Sequence, residues 1–278
     1  MKKFNIFLTA ILLFACLLPS CLYNSEFFNS KNEIQLEESS KEGEIWLLSI
    51  INYSDNSNRQ YEYDDQNRIT RSRYFTNPEL LLPLSDMTLV YNGNDLDRIE
   101  NRYGNEEYEK KGNRIIVKNN DGIVEKVYHL NSGGDLIRKD GYNDGDNISE
   151  TIEYTYDQNG NIIKKTSSSG DITEYGYDNK NSPYIHCKTP KWWMQANGND
   201  TKNNIIKIIR NGKIKEEYVY EYDDEEYPIK CTEYRNGEQV KITDCYGDEQ
   251  VLSVEYGYEK GNKVSNNSNK WVNQKQWR

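Results

Sequence analysis

Tyr154-Thr155-Tyr156-Asp157-Gln158-Asn159-Gly160-Asn161-Ile162 is the stretch whose reading decides the fold. Tyr154 and Tyr156, two apart, share one face of an extended strand, and Glu153 and Thr155 take the other. Asp, Asn and Gly tolerate the left-handed or side-chain-bonded backbone that reverses a chain. The run beginning at Ile162 then pairs back, so the unit is a β-hairpin. Tyr61-Glu62-Tyr63-Asp64-Asp65-Gln66-Asn67-Arg68-Ile69 is a second copy. Its first half recurs at Tyr175-Gly176-Tyr177-Asp178, Tyr220-Glu221-Tyr222-Asp223 and Tyr256-Gly257-Tyr258. Looser copies join Leu89-Val90-Tyr91-Asn92 to Leu96–Ile99, and Tyr128–Asn131 to Gly134–Ile137. The copies are too irregularly spaced for a solenoid of identical coils.

Further turn signals lie at Asn119–Gly122, Ser132-Gly133-Gly134, Gly170-Asp171, Asn211-Gly212 and Asn236-Gly237. The runs between them number on the order of 15–17 short strands, with no amphipathic helix of three turns. Strands joined by short turns in chain order make an antiparallel up-and-down meander. The expected fold is therefore all-β and water-soluble, a sheet curled over its own Tyr/Ile face. Closing this many strands leaves an interior too wide for side chains alone to fill, so a flattened or partly open barrel, or a half-barrel, is expected. A membrane-spanning barrel needs an apolar outward band, whereas the face opposite the tyrosines carries Glu62, Glu153, Thr155, Glu174 and Glu221.

Composition agrees with a Tyr-built sheet. Of 278 residues, 35% are hydrophobic, and 23 are Tyr against 6 Phe and 3 Met. Disordered chains are poor in aromatics, so this one is foldable. With 45 acidic and 35 basic residues the net charge is −10, which argues against a nucleic-acid partner because phosphate binding needs clustered Lys and Arg. Two His residues leave little for His-based catalysis or a multi-His metal site.

The N-terminus reads as an address. Met1-Lys2-Lys3 is a positive start and Phe4–Leu18 an apolar run broken at Asn5 and Thr9, the pattern of a secretory signal. It ends in Leu18-Pro19-Ser20-Cys21. A Leu three before a Cys, with a small residue between, resembles the bacterial lipoprotein processing site, with Leu13-Phe14-Ala15-Cys16 as a competitor. The resemblance implies cleavage after residue 20 and a lipid on Cys21, hence a membrane as partner through the N-terminal lipid. It also implies an outer-membrane-anchored lipoprotein of the bacterial cell envelope, periplasmic or surface-exposed. Residues 21–44 read as a polar tether, 45–260 as the β-domain and 261–278 as a last strand or tail holding Trp271 and Trp277. Past Cys21 only Cys187, Cys231 and Cys245 remain, so at most one disulfide forms. A two-residue turn at Asn236-Gly237 pairs position 231 with 242 and puts 245 on the other face, so three free thiols and a bulge-dependent disulfide both stay open.

The Tyr-x-Tyr-Asp units resemble the YD (RHS-like) repeats of secreted β-shell proteins. The lipoprotein signal, these hairpins, Tyr177-Asp178-Asn179-Lys180-Asn181-Ser182-Pro183-Tyr184 and Asn203-Asn204-Ile205 together are similar to a family of uncharacterised bacterial lipoproteins. That family carries a domain of unknown function with a porin-like β-fold. The resemblance implies that fold and assigns no activity or catalytic residue.

Residues 182–204 interrupt the hairpin rhythm with Pro183, Pro190, Trp192, Trp193 and Met194. Trp192, Trp193 and Tyr184 suit stacking on a sugar or anchoring a partner. The same segment also suits folding back as a plug, and either way it should contact the concave face. Tyr154, Tyr156, Tyr175 and Tyr177 would line a groove for glycans or peptides, or pack as core. Asp157–Asn161 and 140–146 superficially suggest calcium loops, but the second has Tyr142 and Thr151 where ligands belong, and both read better as turns. His186 beside Cys187 does not make a catalytic pair, because the chemistry needs spatial contact. Acidic runs such as Glu216-Glu217 and Asp223–Glu226 read as solvated faces. The reading is a non-catalytic binding or scaffold protein with a glycan or an envelope protein as partner and without catalytic residues, cofactor or metal. A carbohydrate-binding module and a carboxylate-dependent hydrolase are the alternatives, the latter needing two carboxylates facing across a cleft.

Overall fold

The computed structural model describes residues 44–77, 82–143, 147–199, 202–243 and 249–262. The signal segment, Cys21, the tether up to residue 43, Cys245, Trp271 and Trp277 lie outside the described residues. The strands run β1 Trp46–Tyr53, β2 Asn58–Tyr63, β3 Ile69–Phe75, β4 Ser85–Asn92, β5 Asp95–Asn101, β6 Gly104–Lys111 and β7 Arg114–Lys118. They continue as β8 Val124–Leu130, β9 Leu136–Asn143, β10 Asn147–Tyr156, β11 Ile162–Ser167 and β12 Ile172–Tyr177. A short helix, α1 Lys191–Ala196, precedes β13 Ile205–Arg210, β14 Lys213–Tyr222, β15 Pro228–Arg235, β16 Glu238–Gln239, β17 Lys241–Thr243, β18 Glu249–Val251 and β19 Ser253–Lys260.

Each of β1 to β15 pairs antiparallel with the next; β15 then pairs with β19, and β19 with β1. The meander therefore closes into a sixteen-stranded barrel. The sequence points to a flattened or partly open barrel or half-barrel and leaves closure open. The β19–β1 ladder, from Trp46↔Lys260 to Tyr53↔Val254, settles closure by pairing the two ends of the domain. Closure removes both sheet edges at once. The Asn236-Gly237 hairpin is correspondingly short. Tyr234 pairs with Gln239, but β15 is then claimed by β19, so Cys231 faces Val254 and not position 242.

The quoted unit folds by one local rule. Asp157 N–H donates to the Asn161 carbonyl, and Asp157 Oδ1 accepts from the N–H groups of Asn159 and Asn161, at 3.0, 2.9 and 2.9 Å. Gly160 sits at φ 89°, the left-handed position that a three-residue hairpin loop requires. Asp64–Arg68 repeats the turn, with Asn67 at φ 63° in the place of Gly.

Directly after each such turn the strand bulges by one residue. Tyr156 pairs with Ile162 but Thr155 with Lys164, so Ile163 is the extra residue. The same step leaves Thr70, Ile137, Ile206 and Ile229 as extra residues in β3, β9, β13 and β15. In every case the carbonyl before the bulge accepts a tyrosine hydroxyl from the following ring strand. Tyr91 donates to Ile69, Tyr156 to Leu136, Tyr177 to Ile162, Tyr220 to Ile205 and Tyr258 to Pro228, at 2.5–3.1 Å. Tyr63 donates to Leu48, beside the β1 bulge, at 2.7 Å. Phe would supply the same bulk and leave those inward carbonyls without a donor. That explains why Tyr replaces Phe in this chain. It also explains Ile137, Ile206 and Ile229 on the outside, since a bulge forces its extra residue out of the alternation.

The core lies within the barrel towards the end where these turns cluster. Leu48, Ile69, Leu89, Leu96, Ile115, Val117, Leu136 and Ile162 pack there with Tyr61, Tyr108, Tyr128 and Tyr154. The outward face is a lattice of ion pairs across neighbouring strands, among them Arg71–Asp86, Arg73–Glu62, Lys118–Glu109 and Lys207–Glu217. A face of this kind belongs in water, not in lipid.

Candidate ligand site beneath an internal plug

The wide interior is filled by the chain between β12 and β13. This segment folds into the turn-rich end of the barrel and inserts α1 into the core. Trp192, Trp193 and Met194 are buried there at 6%, 7% and 2% exposure. The Trp192 ring stands 5.3 Å from both the Tyr108 and the Tyr128 ring. Gln195, fully buried, accepts from Leu136 N–H at 2.7 Å and donates to Asp135 at 3.1 Å. Lys191 also pairs with Asp135.

The hairpin turns lash the plug in place. Lys188 N–H donates to the Asn67 carbonyl, Asn161 Oδ1 accepts from Lys202 N–H, and Asn181 N–H donates to the Glu226 carbonyl, at 2.9, 2.9 and 3.2 Å. Thr189 Oγ1 accepts from Ile69 N–H at 2.8 Å. The turn residues Asn67 and Asn161 are thus buried polar groups: the Asn161 amide serves both the turn and the plug, and the Asn67 amide exchanges two hydrogen bonds with the Asn262 backbone. The tether point of the segment is Asp178, which accepts from Tyr222 and from Asn204.

Beyond the plug the barrel keeps a cavity of about 450 Å³. Tyr53, Tyr61, Tyr220 and Tyr256 contribute to its walls, and Tyr184, Trp193, Asn197, Asn199 and Asn204 line its plug side. The Tyr61 and Tyr184 hydroxyls share a hydrogen bond of 2.8 Å. Burial pushes Tyr61 up to about 12 despite that bond, and holds Tyr184, Tyr220 and Tyr256 far above the ordinary phenol value. These phenols stay neutral, so they act as hydrogen-bond groups and stacking faces rather than as bases. Arg59 is the charged side chain of the lining; it donates to Ser72 Oγ at 3.2 Å and lies 5.4 Å over the Tyr74 ring. Asn204 is buried, and its Oδ1 has no hydrogen-bond partner. A buried acceptor left unpaired costs free energy unless something else donates to it.

The sequence-derived candidates divide accordingly. Trp193 and Tyr184 reach the cavity, as plug residues. Trp192 lies against Tyr108 and Tyr128 beside a second cavity of about 160 Å³, so the pair is no exposed stacking platform; the Trp side chains fill space. Tyr156 and Tyr177 are spent on the bulge carbonyls. Tyr154 and Tyr175 face inward on a different stretch of wall, around Lys165. His186 accepts from or donates to the Tyr227 hydroxyl at 2.6 Å, while Cys187 donates to Thr189 Oγ1, so neighbours in sequence act on different partners. Burial lowers the His186 pKa. Cys231 is buried and its thiol is pushed up to about 12. The oxygens of Asp157 are taken by turn amides, as a hairpin turn requires. No carboxylate stands among the cavity's lining residues, so the facing pair of a hydrolase is missing at this site. Arg59 and Asn204 were not singled out by sequence reasoning; the one signal was Asn203-Asn204 before the Ile of β13.

No family model matches the chain, and no curated protein matches it. Among solved structures it is similar to a porin-like protein from Bacteroides uniformis ATCC 8492, at 16% identity and a TM-score of 0.47 over 76% of this chain and 96% of that one. A porin-like protein from Bacteroides vulgatus ATCC 8482 is similar at 12% identity and a TM-score of 0.37, over 77% and 99%.

Proposed function

We propose that this is a non-catalytic binding protein of the bacterial cell envelope, anchored through a lipid on Cys21, which takes a saccharide-sized polar ligand inside a stoppered barrel. The anchor rests on the sequence Leu18–Cys21. The binding role rests on one observation: the plug leaves a cavity of about 450 Å³ with tyrosine walls, Trp193, Arg59 and the Asn197 and Asn199 side of the plug. That volume lies within the usual range for small-ligand sites. Aromatic faces suit the apolar faces of sugar rings, and phenol, amide and guanidinium groups suit their hydroxyls.

A glycan array on the full chain, followed by titration of the best ligand, tests the reading. Val254 also lines the cavity, and Val254→Trp takes up its space while leaving every plug residue unsubstituted. The expected result is a dissociation constant raised at least about tenfold in Val254→Trp, roughly 1.4 kcal/mol. Absence of any glycan binding, or binding untouched by Val254→Trp, sinks the proposal.

A further inference from the structure

The inner wall formed by β9 to β12 holds a second feature, independent of the cavity and its saccharide reading. Lys165 lies opposite Tyr154 on one side and Thr173 on the other, with its Nζ 5.6 Å from the Tyr154 ring centroid and 5.3 Å from that of Tyr175. Lys139 lies opposite Tyr128 and Ile152, both packed on the core, so it faces the same lumen. Two other inward cations nearby are matched. Lys126 pairs with Glu106 at 2.8 Å and Arg210 with Glu216 at 3.0 Å. Glu106 also accepts from the Tyr108 hydroxyl, and against burial the charge of Lys139 adds to that of Lys126 in holding its pKa down; Glu150 stands exposed near Tyr154 on the same wall. Among the described residues no carboxylate lies within ion-pair distance of Lys139 or Lys165. Acids outnumber bases 45 to 35 in this chain, so a missing counterion here is not a shortage of acids.

Protein interiors rarely hold a charge without a partner, because desolvation penalises it. Burial, and after it the charge of Lys139, lowers the Lys165 pKa, as two like charges on a shared wall require. The aromatic rings compensate in part, through cation–π contact. We propose that Lys165 and Lys139 form an anion site on the inner wall, which receives the carboxylate or phosphate group of a ligand in the lumen, flanked by the Tyr154 and Tyr175 rings. An anion there adds a counter-charge shared by both lysines, and relieves the repulsion between them.

Calorimetric titration of the full chain at fixed ionic strength is the test, with inorganic phosphate, methyl glucuronide and uncharged methyl glucoside as probes. Phosphate or the glucuronide should bind, and which of them binds tighter identifies the group the site prefers. The glucoside should not displace either. Lys165→Met and Lys139→Met should each weaken anion binding by about tenfold or more. Ligand-free Lys165→Met should melt no lower than the parent, since it removes a cation that has no counterion. Failure of both anions to bind, displacement by the glucoside, or affinities unchanged in both variants overturns the proposal. Because Lys139 makes no cation–π contact, Lys139→Met decides the matter should Lys165→Met melt early. Failure of the glycan array leaves this site standing, and failure here leaves the cavity reading standing.

Discussion

At the scale of single residues, the hydroxyl of tyrosine accounts for much of this chain's composition. Six inward tyrosines donate to the carbonyl before a bulge, each on a different pair of ring strands. Tyr177→Phe keeps the ring and removes its bond of 2.7 Å to the Ile162 carbonyl. Urea denaturation should show a loss of about 1–3 kcal/mol, the cost of an unsatisfied buried acceptor. Tyr103→Phe, on an exposed side chain, should stay within about 0.5 kcal/mol of the parent. Equal effects of the two substitutions would argue that the inward tyrosines act by bulk alone.

At the scale of elements, the hairpins were legible and the joints between them were not. Tyr-x-Tyr followed by Asp and Gly or Asn marks a strand and its turn from local chemistry, and the turns at 64–68 and 157–161 form as that chemistry dictates. The bulges could be seen only as unexplained doublets, such as Ile162-Ile163 and Ile205-Ile206, because a bulge is defined by its partner strand. Residues 182–204 betrayed themselves by Pro and Trp, which no hairpin there would use. What the plug grips was hidden, since Gln195 looks like any polar residue of a short helix. Gln195→Leu keeps the volume but leaves Leu136 N–H without its acceptor. Thermal or chemical denaturation should register a loss of about 1–3 kcal/mol. A neutral substitution would show that the plug is held by its Trp side chains and not by this contact.

At the scale of the whole molecule, closure and filling are one problem. A sixteen-stranded ring is too wide for its own side chains, so a closed barrel of this size needs either a water-filled lumen or an insert. This chain supplies the insert from its β12–β13 connection and keeps the residual space as a cavity. Sequence reasoning left closure open because the deciding ladder joins residues 46–53 to 254–260, which no local pattern couples. The cavity was equally invisible, since Arg59, Val254 and Asn204 come together only once the ring shuts.

The central claim is that residues 178–199 pack inside a closed barrel. Nuclear Overhauser spectroscopy on the full chain, with labelled Trp and Tyr, tests it most directly. The Trp192 indole should show cross-peaks to the ring protons of both Tyr108 and Tyr128, whose centroids lie 5.3 Å away. A Trp192 indole without cross-peaks to either ring, and in rapid exchange with water, would contradict the account.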